Sequence, residues 1–282
     1  QEGNLKLAEK HYRRVIELEP HNEDVLWALG ELAEQTERYV TAERYFSDIT
    51  SDQRFLEAQL RVANAQYHQS GAEAAVDVLR MLEPRSIDEY VDVALTRHYI
   101  LLQARELEDA LGFINEAVLT APTNLELAYA RALVAAELGD VELAEADFRR
   151  ILSVRPNDPD TLNAYGYTLA DQTERYMEAE KMILAALEQK PNSAHILDSY
   201  GWVQYKLGDN EQALDYLQKA SELSDEPEIL VHLGEVLWVM GELDEAKKIW
   251  ASIEVGHPLL MATLQRLGIG ANFEPNKEIS LR

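Results

Sequence analysis

Residues 194–226 read AHILDSYGWVQYKLGDNEQALDYLQKASELSDE. Leu197, Tyr200, Gly201, Gln204 and Leu207, then Ala213, Leu214, Leu217, Ala220 and Leu223, recur at steps of three and four. That spacing lines one face of an α-helix, twice over. Between the two runs lies Leu207-Gly208-Asp209. Gly208 suits the left-handed backbone that ends a helix, and Asp209 or Asn210 suits the cap of the next. The stretch therefore predicts two short amphipathic helices in a tight hairpin.

The steps recur. From Gly201 they run seven to Gly208, five to Ala213, four to Leu217 and three to Ala220. The same steps lead from Gly234 through Gly241, Ala246 and Trp250 to Ile253, and from Ala132 through Gly139, Ala144 and Phe148 to Ile151. Five residues later stand Pro258 and Pro156. A small residue lets two helices cross closely, glycine reverses the chain, and proline ends the second helix because it lacks an N–H. The large residue four places after the alanine fills the gap that remains. Tyr165 and Tyr200, beside the small glycine, read as core, as does Trp250.

This spacing resembles the tetratricopeptide repeat (TPR), a helix–turn–helix unit of 34 residues. Pro20 to Pro122 is 102 residues, Pro122 to Pro156 is 34 and Pro156 to Pro191 is 35. The strings AEQTERYVTAE (33–43) and ADQTERYMEAE (170–180) lie 137 apart, four repeats plus one residue. The resemblance implies an all-α solenoid, a right-handed superhelix of stacked hairpins in which each unit packs on its neighbours. We expect a half repeat at 1–22 and repeats at 23–56, 57–90, 91–124, 125–158, 159–193, 194–226 and 227–258. A capping helix at 259–270 and a polar tail at 271–282 complete it. The stretch 57–90 is the weakest unit, and 91–124 opens on an irregular helix, VDVALTRHYILLQA. The irregular middle, about 50–105, reads as divergence of a tolerant repeat, as a bend or as a partner-binding deviation. The chain starts with Gln1 inside the second helix of a repeat, which we read as a fragment of a longer protein with any targeting signal or anchor upstream.

Hydrophobic residues make up 46% of the chain, enough for a continuous core, and the scarcity of β-branched runs fits an all-α protein. The formal net charge of −25 argues against nucleic acid, whose phosphates need a basic surface, and against electrostatic docking on an anionic membrane. The acidity reads as a solvated face or as steering of a basic partner. With no cysteine there is no disulfide, cysteine metal site or cysteine nucleophile. No apolar run approaches the roughly 18 residues of a membrane span. The seven histidines form no HExxH pair, and phosphate-binding or nucleophile-elbow motifs are missing. We expect no enzyme, no metal and no cofactor.

In such a stack the first helices of the hairpins line the inner surface. Their outward positions are Trp27, Tyr129, Asn163, Tyr167, Asp198, Trp202, Tyr205 and Trp238, our candidate partner-binding set. Rigid aromatics with a polar tip are favoured interface anchors, and several can equally fill gaps between neighbouring helices. For Trp202, Tyr205 and Trp238 we favour the partner-facing role. TPR domains that grip a C-terminal carboxylate repeat Lys, Arg and Asn along these helices. Trp27, Tyr129, Asn163 and Asp198 stand there instead, so that subclass is rejected.

The phrases LNAYGYTLAD, ILDSYGWVQYKLG and HLGEVLWVMGELDEA, within about 160–250, resemble the long TPR outer-membrane lipoproteins of Gram-negative bacteria. That resemblance implies a periplasmic location, an upstream lipid anchor and an adaptor role. The adaptor would bring a carboxyl-terminal processing protease together with cell-wall hydrolase substrates. The competing reading is a single-client TPR module in secretion or pilus assembly. Self-association through the orphan half repeat also stays open.

Overall fold

The computed structural model describes residues 2–269, and the call of a polar tail at 271–282 lies outside them. Among the described residues the structure contains 16 α-helices and no strand. It is an all-α TPR solenoid whose chain divides into two compact units between Leu138 and Gly139. The first unit holds α1 (Glu2–Leu18), α2 (Glu23–Gln35), α3 (Tyr39–Ser47), α4 (Phe55–Ser70), α5 (Ala72–Arg80), α6 (Ile87–Gln103), α7 (Leu107–Thr120) and α8 (Leu125–Glu137). The second holds α9 (Val141–Val154), α10 (Pro159–Gln172), α11 (Tyr176–Gln189), α12 (Ala194–Leu207), α13 (Asn210–Leu223), α14 (Pro227–Met240), α15 (Leu243–Trp250) and α16 (Pro258–Arg266).

Within each unit a helix packs on the next in sequence, except that α16 packs on α14 and not on α15. Alternate helices also meet, α4 on α6 and α6 on α8 in the first unit, and α10 on α12, α12 on α14 and α14 on α16 in the second. The local signals act as their chemistry dictates. Asp209 Oδ1 accepts from the backbone N–H of Gln212 at 3.0 Å, and Asp158 and Asn124 cap α10 and α8 in the same way. Gly208 and Gly241 adopt φ of +89° and +90° and end α12 and α14.

The hairpins close on a steric match. A Cβ on Gly201 would lie 2.7 Å from Leu217 Cγ, one on Gly166 2.6 Å from Ile183 Cγ1, one on Gly30 2.5 Å from Phe46 Cζ, and one on Gly234 2.1 Å from Trp250 Nε1. Such distances leave room for hydrogen alone. Trp250 is fully buried, and its Nε1–H donates to Val231 O at 3.3 Å. Tyr165 and Tyr200 are buried too.

The paired strings at 33–43 and 170–180 share one structure. Thr36 Oγ1 donates to Leu32 O at 2.7 Å, and Thr173 Oγ1 donates to Leu169 O at 2.6 Å. The arginine two residues on reaches back to the preceding hairpin. Arg38 grips Glu9 through two bonds of 2.9 and 3.0 Å, and Arg175 Nη1 meets Glu145 Oε2 at 2.8 Å. These guanidinium bonds hold the Glu9 and Glu145 carboxyls below their ordinary pKa.

The middle of the first unit departs from the repeat. The helix read from Val91 begins at Ile87, where the Ser86 hydroxyl caps it by accepting from the N–H of Glu89 at 3.1 Å. α3 and α5 have nine residues each, against 14 in each of α7, α9, α11 and α13.

Trp250→Ala is expected to cost about 3–5 kcal/mol by leaving a cavity, and Gly234→Ala about 1–3 kcal/mol by overpacking. Because both act on one contact, the double variant should lose less than the sum of the singles. Urea denaturation of the four proteins checks this, and strict additivity would break the proposed match.

Candidate partner-binding face

In the second unit, α10, α12, α14 and α16 stand side by side and carry most of the aromatic set. Asp198 and His232 lie 34 residues apart, one repeat, and therefore at matching positions on α12 and α14. The Nδ1–H of His232 donates to the Asp198 carboxylate, 2.9 Å from Oδ1 and 3.1 Å from Oδ2. Both are buried. The Trp202 ring stacks on His232 with centroids 4.0 Å apart, its Nε1 lies 3.4 Å from Asp171 Oδ1, and Lys206 Nζ sits 4.6 Å above the ring. Across from this cluster, Tyr167 on α10 donates its phenolic O–H to Glu228 Oε1 on α14 at 2.6 Å. A second pair joins α14 to α16. Glu235, with no exposed surface, takes both Arg266 guanidinium nitrogens at 2.6 Å.

The electrostatics follow from burial among carboxylates. Burial, then the charges of Glu228 and Asp171, push the Tyr167 phenol well above its ordinary value. Burial and Glu235 push Tyr205 up to about 12. Burial alone would lower the His232 pKa. The charge and hydrogen bond of Asp198, with Glu228 and Glu235 nearby, outweigh it and raise it. The imidazolium is therefore the form this site favours. His98, buried in the first unit, is shifted down by desolvation.

The candidate residues fall into distinct settings. Tyr167, Asp198, Trp202 and Tyr205 come together around His232 and Glu235. Asp198 and Trp202 are buried at 4% and 3% exposure, which corrects the expectation that Trp202 stands open towards a partner. Its indole fills the space between α12 and α14, the alternative that exposed aromatics always carry. Tyr205 stays half-buried. Trp238 is half-buried too and stacks on Trp250 at 5.9 Å. Asn163 is half-buried on α10, and its Oδ1 meets no hydrogen-bond donor. In the first unit Trp27 packs edge-on against Phe46 at 5.2 Å with the Arg61 guanidinium over its ring, and Tyr129 is half-buried on α8. His232, Glu228 and Arg266 escape a reading that treats each hairpin alone. The signal that finds them is separation by about one or two repeats, 34 residues for Asp198 and His232 and 61 for Tyr167 and Glu228. Among the described residues no group of three or more His, Asp or Glu is placed to hold a metal ion, and no helix is long and apolar enough to cross a membrane.

Family models described as tetratricopeptide repeat match residues 80–252 and residues 1–68. A TPR repeat-containing protein of Pseudomonas aeruginosa is 32% identical over 207 residues, 73% of this chain and 35% of that protein. The type IV pilus assembly protein PilF of the same bacterium is 24% identical over 166 residues, 58% of this chain and 64% of PilF. The chain thus spans less than two thirds of either relative. The crystal structure of a tetratricopeptide repeat protein from Parabacteroides merdae superposes with a TM-score of 0.67 at 17% identity, covering 86% of this chain and 97% of that one.

The raised His232 pKa has a definite sign. Its stabilisation is present in full below the ordinary histidine value near 6.5 and is lost as pH rises through the higher folded value. NMR titration of the imidazoles should find His232 above the ordinary value and His98 below it. In Asp198→Asn the charge is gone while burial remains, so His232 should fall below the ordinary value. Removing that partner is expected to cost about 3–5 kcal/mol at acidic pH. An unmoved His232 titration in Asp198→Asn would contradict the pairing.

Proposed function

The chain belongs to the tetratricopeptide repeat family, and on that premise we propose that it is a scaffold bringing a periplasmic carboxyl-terminal processing protease together with its cell-wall hydrolase substrates. TPR proteins are generally non-enzymatic modules that bind proteins, and this part of the reading needs no further assumption. The adaptor role rests on one observation, the block at about 160–250 whose phrases resemble the long TPR outer-membrane lipoproteins. That block falls inside the longer family match. Under this reading the protein works in the periplasm, tethered to the outer membrane through an upstream lipid anchor.

The mechanism is proximity. A scaffold that holds protease and substrate at once makes the second encounter intramolecular and raises the effective concentration of substrate at the protease. The face of α10, α12, α14 and α16 supports it physically. Paired carboxylates and stacked rings hold the backbone of these helices still, so little order is lost when a partner docks. Tyr167, Tyr205 and Trp238 keep part of their surface in solvent as anchors, and the surplus of carboxylates favours a basic partner surface. A second reading, a single-client module in pilus assembly, draws support from the likeness to PilF.

The test is a reconstitution of purified protease, hydrolase and this chain. The adaptor reading expects hydrolase degradation to accelerate with added chain and then to slow at excess, as each partner binds a separate scaffold molecule. Trp238→Ala should weaken the acceleration. No acceleration at any concentration would remove the adaptor role. Capture of one pilus-assembly subunit without a ternary complex would move the assignment to the second reading.

A further inference from the structure

A cleft of about 580 Å³ opens in the first unit. It lies beside the end of the short α5. That helix stops at Arg80 after nine residues, where α7 runs for 14. The missing five residues (14 − 9) amount to about 7.5 Å of helix. The cleft lies between the start of α4 and the end of α5 with the loop that follows it. Phe55, Leu56 and Val62 of α4 form one wall, and Val78, Met81 and Leu82 form the other. Met81 is 82% exposed, an unusual setting for a large apolar side chain.

The mouth has its own chemistry. Asp52, Glu83 and Glu89 stand around it with Arg85 as the one cation, so three acids less one base leave a charge of −2. Arg85 is already engaged, since its Nη2 lies 3.2 Å from Asp52 Oδ1 and its backbone N–H donates to Glu89 Oε2 at 2.6 Å. A slot of this size, with apolar walls and a polar rim, lies within the ordinary range for ligand sites. Its rim would repel acidic flanks and attract basic ones.

We propose that this cleft is a docking site for a partner polypeptide, taking apolar side chains flanked by lysine or arginine. The site is separate from the face of α10 to α16, so a scaffold would carry a second point of attachment.

The probe is a fluorescein-labelled peptide with a Leu-Leu-Phe-Leu core and lysines at both ends, beside a twin with glutamates in their place. Fluorescence anisotropy with the 282-residue chain should show the basic peptide binding and its twin about ten-fold weaker or more. Met81→Asp should cut the affinity for the basic peptide about ten-fold. Diffuse attraction to an acidic protein predicts the opposite, because that variant adds a negative charge. Glu83→Lys should weaken the basic peptide as well, and both residues are exposed, so the melting curves should stay unchanged. No binding, equal binding of the twins, or unaltered or tighter binding to Met81→Asp would each overturn the proposal. A dimer of the parent chain that Met81→Asp dissolves in sedimentation would overturn it too, in favour of a second copy as occupant.

Discussion

The fold depends on how closely two helices of a hairpin can cross. At Gly30, Gly166, Gly201 and Gly234 the crossing leaves no space for a methyl group, and Phe46, Ile183, Leu217 and Trp250 fill it. Close packing of this kind gains little from any single atom pair and much from their number. It also fixes the relative position of the two helices, and so decides which faces remain for the next hairpin. The rest of each unit, from the rows of alternate helices to the buried polar pairs, is built on that geometry. Trp250 shows how much a single site can hold, since it is the largest of the fully buried side chains and also satisfies the carbonyl of Val231.

Much of this was legible in the chain, because the steps of seven, five, four and three describe contacts inside one hairpin. They locate Gly208 and Gly241 at turns, and Trp250 and Tyr165 in the core. What they do not describe is how one first helix meets the next. Trp202 reads as an open aromatic until His232 is placed beneath it, and His232 stands 30 residues further along the chain, out of reach of any helical period. The nine-residue α5 was hidden for a different reason. Ala72, Ala75, Val76 and Leu79 keep a helical period, and it is the loop after Arg80 that breaks it. The cap at Ser86 was in the sequence, but the helix it starts was read four residues late.

The candidate face shows what burying polar groups does. Asp198 and His232 form a buried charged pair, while the buried Glu235 is met by an Arg266 that stays half-exposed. Buried pairs add little net stability because desolvation opposes their attraction. Their geometry is strict, however, since a displaced partner leaves an unpaired charge. The face is therefore less adaptable than an apolar one, which suits recognition of defined partners over indiscriminate adhesion. Its acidic balance matches the chain as a whole, whose acidic residues outnumber the basic ones 51 to 26.

The arginine bridges from Arg38 to Glu9 and from Arg175 to Glu145 bear on how the molecule responds to force. Each ties a hairpin turn to the helix before it, across 29 and 30 residues. Pulling two such hairpins apart must first break a charge-assisted contact at their rim, before the apolar surfaces beneath can peel. For partly exposed ion pairs such a contribution is modest, and it acts at the first small displacement of one hairpin from the next.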